Sequence, residues 1–336
     1  MKKNNQKKWI ALSLILVLIC IVFHLLITRQ MTVPFLYRMK AGQSWTLGTI
    51  QTTNPLVINK DSICVINWDI VPEHPPICFM ADPFVVENEE IYYIFYEHYP
   101  PQMNSTWGDI GVLKSTDLTS WEYIGIALDE PFHLSYPYVF KWNDKWYMIP
   151  ETSGANQIRL YETDKFPCDW KLKTVLIENR KIADATLLIK DGFFYLLAFG
   201  HQTSELCLFY SDNIEKDWKE HPASPIRNYD TRPGGTPCVV NESLIYFIQD
   251  HTHGYGTGLL AYEIDSISPT VFKDRRLDEN NPVLYRFGDD WAATGMHQLS
   301  SIMLNDSVYF CVVDGNSWRD KSWGFDIRNL PKFRFK

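Results

Sequence analysis

The stretch ADPFVVENEEIYYIFYE, residues 81–97, decides the fold. Two runs rich in Val, Ile, Phe and Tyr flank the polar Glu87-Asn-Glu-Glu90, the pattern of two antiparallel strands joined by a tight turn. Four further stretches lie beneath it in register: SYPYVFKWNDKWYMIPE from Ser135, ADATLLIKDGFFYLLAF from Ala183, GGTPCVVNESLIYFIQD from Gly234 and HQLSSIMLNDSVYFCVV from His297. Each second strand carries a tyrosine, at Tyr93, Tyr147, Tyr195, Tyr246 and Tyr309, at intervals of 54, 48, 51 and 63 residues. A repeat near 50 residues, each copy a hairpin that cannot bury both faces alone, is the signature of blades stacked radially about an axis.

Outward from the hairpins, residues 108–115 and 120–127, then 157–162 and 170–178, read as third and fourth strands of the first two blades. Residues 45–51 and 63–68 read as strands that close the ring with the last blade. The fold class expected is all-β, a five-bladed β-propeller over residues 45–336. A β-sandwich is the competing architecture, but its strands need not share one template.

The chain has 336 residues, 46% hydrophobic and 21% charged, enough apolar surface for a substantial core. Its net charge of -8 leaves no surplus of cations for a phosphate backbone, so no nucleic-acid partner is expected. Aromatic residues make up 15%, a supply of amphipathic rings suited to sugars and interfaces.

Residues 9–27 carry no formally charged side chain and are interrupted only by Ser13 and His24, the length of a membrane-spanning helix. Lys2, Lys3, Lys7 and Lys8 precede it and Arg29 follows, which keeps the N-terminus cytoplasmic and sends the rest across. A cleaved signal peptide fits less well, because its apolar region is shorter and no small-x-small site follows. The expected organisation is a cytoplasmic tail 1–8, a signal anchor 9–27, a linker 28–44 and an extracytoplasmic propeller, in the Golgi or endoplasmic reticulum lumen or at the cell exterior. Beyond residue 30 the chain holds 27 basic and 40 acidic residues. Six of seven cysteines lie beyond the span, an even number that permits 15 pairings. Asn104, Asn241 and Asn305 open glycosylation triplets.

In a hairpin, the residue opening the first strand lies opposite the residue ending the second. That sets Asp82 against Glu97, Tyr136 against Glu151, Asp184 against Phe199 and Gly235 against Asp250. One mouth of the channel then collects Asp82, Glu97, Glu151, Asp184 and Asp250, with His133, Tyr136, Arg232 and His297 as further binding candidates. Carboxyl groups in a partly dry site have their pKa values driven apart, the condition for one acid and one base. Asp82 and Asp184, opening blades one and three, would face each other with room for a sugar and a water, an inverting geometry. The same aspartates also suit a turn, where a strand-opening Asp accepts backbone N–H groups. No His-x-x-x-His or Cys-x-x-Cys spacing occurs, Gly254-Tyr-Gly256 opens no helix, and no Gly-x-Ser-x-Gly is present. Neither a metal nor a cofactor is expected.

Several of these strings resemble a known family: Ala81-Asp-Pro-Phe, Asp129-Glu-Pro-Phe-His-Leu-Ser-Tyr-Pro-Tyr-Val-Phe, Met148-Ile-Pro-Glu-Thr-Ser, Arg159-Leu-Tyr-Glu, Phe166-Pro-Cys-Asp-Trp and Arg232-Pro-Gly-Gly. They look like the N-terminal domain of plant-type glucosamine inositolphosphorylceramide transferases, from about Trp45 to about Trp318. That domain in turn is similar to five-bladed glycoside hydrolases acting on arabinans and xylans. The resemblance implies Asp82 as base and Asp184 as the group that tunes the acid. It places the acid itself near Arg232-Pro-Gly-Gly235, where a guanidinium cannot donate a proton at neutral pH. The family's further C-terminal glycosyltransferase domain is not within these residues, so transfer is not expected of this stretch alone.

The function expected is a membrane-anchored, carbohydrate-recognising propeller, a glycan-binding or accessory module in glycolipid or polysaccharide glycosylation. Its partners would be a glycan or glycolipid headgroup and a separate glycosyltransferase. The alternative is a glycosidase-like enzyme using Asp82 and Asp184, with Glu151 or Asp250 in place of the missing acid.

Overall fold

The computed structural model describes residues 9, 12–20, 36–39, 41–101, 107–278, 282–320 and 322–325. Five antiparallel sheets follow one another around a ring. Blade one is Phe79–Asn88, Ile91–Tyr99, Asp109–Ser115 and Glu122–Leu128; blade two is Ser135–Trp142, Lys145–Glu151, Ile158–Thr163 and Lys171–Ile177. Blade three is Ile182–Lys190, Phe193–Gly200, Glu205–Ser211 and Lys219–Glu220. Blade four is Cys238–Val240, Ser243–Asp250, Gly258–Ser268 and Val271–Arg276, with Leu284–Tyr285 also paired to its third strand. In blade five, Leu299–Asn305 and Val308–Arg319 are completed by Gly42–Thr52 and Cys64–Ile66 from the start of the chain. The ring therefore closes as expected, by an eleven-pair ladder from Gly42↔Arg319 to Thr52↔Tyr309.

Side chains alternate across each strand, so each blade presents one apolar set to the blade before it and another to the blade after. Blade one sends Ile94 and Tyr96 into a core shared with blade five, beside Phe310 and Val312. Its Tyr93 and Phe95 enter a core shared with blade two, beside Met148 and Trp146. Blades two and three meet through Ile149, Leu160, Leu196 and Phe209. Blades three and four meet through Leu197, Leu208, Ile248 and Leu260, and blades four and five through Phe247, Leu259, Cys311 and Val313. These wedges replace a single central core and leave the axis free for polar groups.

Of the expected anchor, Trp9 and residues 12–20 are helical and exposed, while residues 10–11 and 21–27 lie outside the described residues. Among the described residues, no helix is long and apolar enough to cross a membrane. The tail 1–8, residues 28–35, Lys40, Asn104 and residues 326–336 also lie outside them. Within the stretch read as linker, Leu36–Met39 pairs with Ser322–Phe325. All seven cysteines are unpaired, so the even count beyond residue 30 reflects no disulfide here.

Candidate functional site at the channel mouth

The first strands do not open as the hairpin geometry predicts. Ala81, not Asp82, stands opposite Glu97; Ser135 stands opposite Glu151 and Ala183 opposite Phe199, and in each blade the register then shifts. The displaced residues are Asp82, Tyr136 and Asp184, with φ of 50°, 45° and 54°. One residue in the left-handed region leaves the ladder as a bulge and turns its side chain out of the strand's alternation. Asp tolerates that conformation, and Tyr136 is held in it because its hydroxyl is bound from two sides: Thr186 Oγ1 lies 2.6 Å away and the Gly235 N–H donates at 2.8 Å. Tyr136 is thus buried, a staple joining blades two, three and four beneath the mouth.

The second strands contain a second departure. Tyr93, Tyr147 and Tyr195 face the following blade, but Tyr246 packs against blade three and Tyr309 against blade four. The structural equivalents of Tyr93 are Ile245 in blade four and Phe310 in blade five, which pack toward the blade that follows. Four residues on, the positions equivalent to Glu97 and Glu151 are therefore Gln249 and Asp314. A slip of one residue moves every side chain to the other face. Asp250 accordingly lies on the opposite face from Gln249, where its Oδ1 accepts the Thr252 N–H at 2.8 Å.

Arg232 enters the mouth from the segment leading to blade four. Its Nε is bonded to Asp184 Oδ2, and Nη2 reaches Oδ1 at 3.5 Å. Gln249 Nε2 adds a bond to the same carboxylate at 3.3 Å, and His251 Nε2 lies 3.0 Å from Gln249 Oε1. The guanidinium also lies over the rings of Tyr255, at 5.3 Å, and Phe199, at 5.8 Å. Next to it, Gly235 (φ 143°) is bridged to Leu299, and a Cβ there would fall 1.8 Å from the Leu299 carbonyl oxygen. The Gly-Gly pair is what lets the inner ribbons of blades four and five close upon each other.

Glu97 is buried, and Gly108 lets the chain pass it: a Cβ on Gly108 would stand 3.1 Å from Glu97 Oε1. The Gly108 N–H donates to His133 Nδ1 at 2.9 Å, which leaves the ring proton on Nε2, 3.5 Å from Glu97 Oε1. Burial pushes the Glu97 pKa well above the carboxylate range, and the charges of Asp82 and Glu151 push it further. Burial raises Glu151 to about 7, against the opposing hydrogen bond from Ser153, whose N–H lies 2.9 Å from Oε1; Oε2 of Glu151 has no hydrogen-bond partner. Asp82 also rises to about 7, chiefly by burial, with His297 opposing and Asp184 and Asp314 reinforcing the rise. The site thus sets a buried carboxyl group paired with a guanidinium, Asp184 with Arg232, beside Asp82 and Glu151, whose raised pKa values suit them to exchange protons near neutrality.

Asp314 anchors the fifth blade to the first. Its Oδ1 accepts the N–H groups of His297 and Gln298, each at 3.0 Å; its Oδ2 accepts the Asp82 N–H at 3.2 Å and lies 2.8 Å from His297 Nδ1. His297 also lies 3.9 Å from Asp82 Oδ1 and stacks on Trp45 at 3.9 Å. Burial works against the imidazolium, but Asp314 and then Asp82 outweigh it and raise its pKa. Asp82, His297 and Asp314 offer ligand atoms within 4.8 Å of one another. With its oxygens already engaged by three backbone N–H groups and a ring nitrogen, Asp314 is built as an anchor rather than as a metal ligand.

The structure therefore brings Asp82, Glu97, Glu151, Asp184, Arg232, His133 and His297 to one mouth. Sequence reasoning missed Asp314, Gln249, Tyr255 and Trp45. Asp314 and Gln249 were one residue from the tyrosine-anchored column, so burial periodicity along the second strands could have found them.

Glu151→Gln makes the electrostatics measurable. A carboxyl whose folded pKa is raised contributes stability below its unfolded value near 4.5 that is lost as pH rises through about 7. The amide keeps the Ser153 bond and never ionises, so the variant should match the wild type near pH 4 and exceed it by on the order of 3 kcal/mol at pH 8. Urea unfolding at the two pH values checks this, and a pH-independent difference would contradict it.

A family model described as "Glucosamine inositolphosphorylceramide transferase 1, N-terminal" matches residues 44–316. Curated proteins named Glucosamine inositolphosphorylceramide transferase 1 are similar to the chain over 252 residues: 32% identical in Oryza sativa subsp. japonica and 30% in Arabidopsis thaliana, in each case over 72% of this chain. The match covers 34% and 32% of those proteins, so the chain spans about a third of the length of the relatives it matches. Among solved structures, a β-1,2-mannobiose phosphorylase from Listeria innocua superposes with a TM-score of 0.55 at 13% identity, over 79% of this chain and 96% of the other. The catalytic domain of a GH62 α-L-arabinofuranosidase from Coprinopsis cinerea gives 0.54 at 11% identity, over 82% and 97%. At such identities the likeness is one of fold.

Proposed function

The chain belongs to the glucosamine inositolphosphorylceramide transferase 1 N-terminal family, and from that premise we propose that its mouth binds the sugar headgroup of a glycolipid or related glycan. The propeller acts as a recognition module for glycosylation, held outside the cytosol by residues 9–27 and working beside a glycosyltransferase. The observation that carries this reading is the convergence of Asp82, Glu97, Glu151 and Asp184 with Arg232 at one end of the channel, rimmed by Tyr255 and His133. Carboxyl groups and a guanidinium supply paired acceptors and donors for sugar hydroxyls, and the rings supply a face on which a pyranose stacks. The test is calorimetric titration of the detergent-solubilised chain with glycolipid headgroups, arabinan and xylan oligosaccharides. Binding is expected to one of them and to weaken roughly tenfold in Glu97→Ala, which removes a buried hydrogen-bonding carboxyl group and costs about 1.5 kcal/mol. Absence of binding to all of them would defeat the proposal.

One observation favours catalysis as a second reading: Asp82 and Glu151 both titrate near 7, where one can accept a proton while the other gives one. Under it, Asp82 is the base, Asp184 sets the field, and Glu151 replaces the acid that Arg232 cannot be. Turnover of a bound glycan that disappears in Asp82→Asn while binding persists would establish this reading over the first.

A further inference from the structure

We infer that the mouth face of the propeller is turned toward the membrane that carries the anchor, so that the ligand is a sugar headgroup standing on a lipid of that same membrane. This rests on the anchored, glycan-binding reading above and adds to it a direction.

The register of blade five fixes where the chain joins the wheel. Leu47 pairs with Asp314, which binds Asp82 at the mouth, and the ladder continues past it to Gly42↔Arg319 on the mouth side. Beyond lies the ribbon Met39↔Ser322 to Leu36↔Phe325, which extends the same two strands outward. The chain coming from the anchor therefore reaches the wheel at its mouth. Only eight residues, 28–35, separate the end of the span from Leu36. Fully extended they reach about 28 Å, no more than the thickness of a wheel whose inner ribbons run eight to ten residues, roughly 30 Å. A tether of that length cannot pass around the blades to lay the far face on the bilayer.

The surface agrees with the tether. Among the described residues of the wheel, the exposed large aromatics are Trp107 (37%), Tyr229 (65%), Tyr255 (44%) and Trp318 (66%). Trp107 adjoins Gly108 beside Glu97 and His133, Tyr229 lies in the segment that leads to Arg232, Tyr255 lies against Arg232 and His297, and Trp318 is four residues beyond Asp314 toward the ribbon. All four stand at the mouth end. The far end exposes aliphatic side chains instead, such as Val57, Val271 and Met303. Trp and Tyr, apolar bodies with a polar edge, are the side chains that settle at a bilayer's headgroup level. Residues 319–336, which follow the strand that leaves the mouth, carry six basic and two acidic side chains, a composition drawn to anionic lipid.

The test places a fluorophore at each end of the full-length chain in vesicles of phosphatidylcholine and phosphatidylserine that contain a headgroup-labelled acceptor lipid. Tyr229→Cys marks the mouth and Lys145→Cys the far hairpin turn, in a background carrying Cys20→Ser, Cys64→Ser and Cys168→Ser. With the two positions roughly 30 Å apart along the axis, energy transfer to the lipid should be on the order of threefold or more greater from position 229. Equal transfer, or greater transfer from position 145, in a chain that resists extraction by alkaline carbonate overturns the orientation and leaves the glycan-binding reading standing. A chain stripped from the vesicles by carbonate overturns the anchored reading, and the orientation with it.

Discussion

Asp314→Ala is expected to destabilise the propeller by about 3–5 kcal/mol. Three backbone N–H groups, of Asp82, His297 and Gln298, lose their acceptor at once, in a place where His297 and Asp314 are buried and water has little access. The loss falls on the seam where the ends of the chain meet the first blade, so blades one and five lose a shared support. Asp314→Asn separates geometry from charge: its remaining oxygen can still accept from His297 and Gln298, so it should recover part of the loss. His297 should respond in both variants. Its raised pKa depends on Asp314 more than on Asp82, so without that carboxylate burial prevails and the imidazole turns neutral, visible in the ring proton shifts on titration. Unfolding midpoints within about 1 kcal/mol of wild type for Asp314→Ala would show that the anchor is dispensable.

Arg232→Met should cost about 3–5 kcal/mol as well, for a different reason. Asp184 is fully buried, and its bonds to Arg232 are the compensation for its charge; Gln249 alone cannot replace them. If the pair is an isolated unit, Asp184→Asn combined with Arg232→Met should lie far closer to wild type than Arg232→Met alone, because no charge is then left buried. The coupling read from that double-mutant cycle is the measurement, and additive losses would refute the pairing. Arg232→Lys is not expected to restore stability, since an ammonium cannot hold both carboxylate oxygens and spread over the Tyr255 and Phe199 rings together.

These two residues also mark how far the chain could be read before its structure. Arg232 was legible as a mouth residue and as an obstacle to acid catalysis, but its partner was not. Asp184 stood in the sequence as an aspartate opening a strand, and nothing in its neighbourhood announced a guanidinium 48 positions away. Asp314 is hidden in the sequence because tyrosines at 246 and 309 continue the column of the first three blades, yet that column runs one residue off in the last two. The hairpin register was off by one in blades one to three because a bulge carries no composition signal that separates Asp82 from any other turn aspartate.

The repeat length, the alternation of apolar residues and the polar turns sufficed for an all-β ring of five blades and for its closure by the first strands, since burying half of every strand imposes a period of two. Which face each acidic side chain takes was beyond their reach. A two-residue period leaves the choice between faces to a single-residue shift, and that shift is settled only when neighbouring blades pack. Packing seats Ile245 and Phe310 where tyrosines stand in the first three blades, and by doing so brings Gln249 and Asp314, rather than Asp250, into line with Glu97 and Glu151.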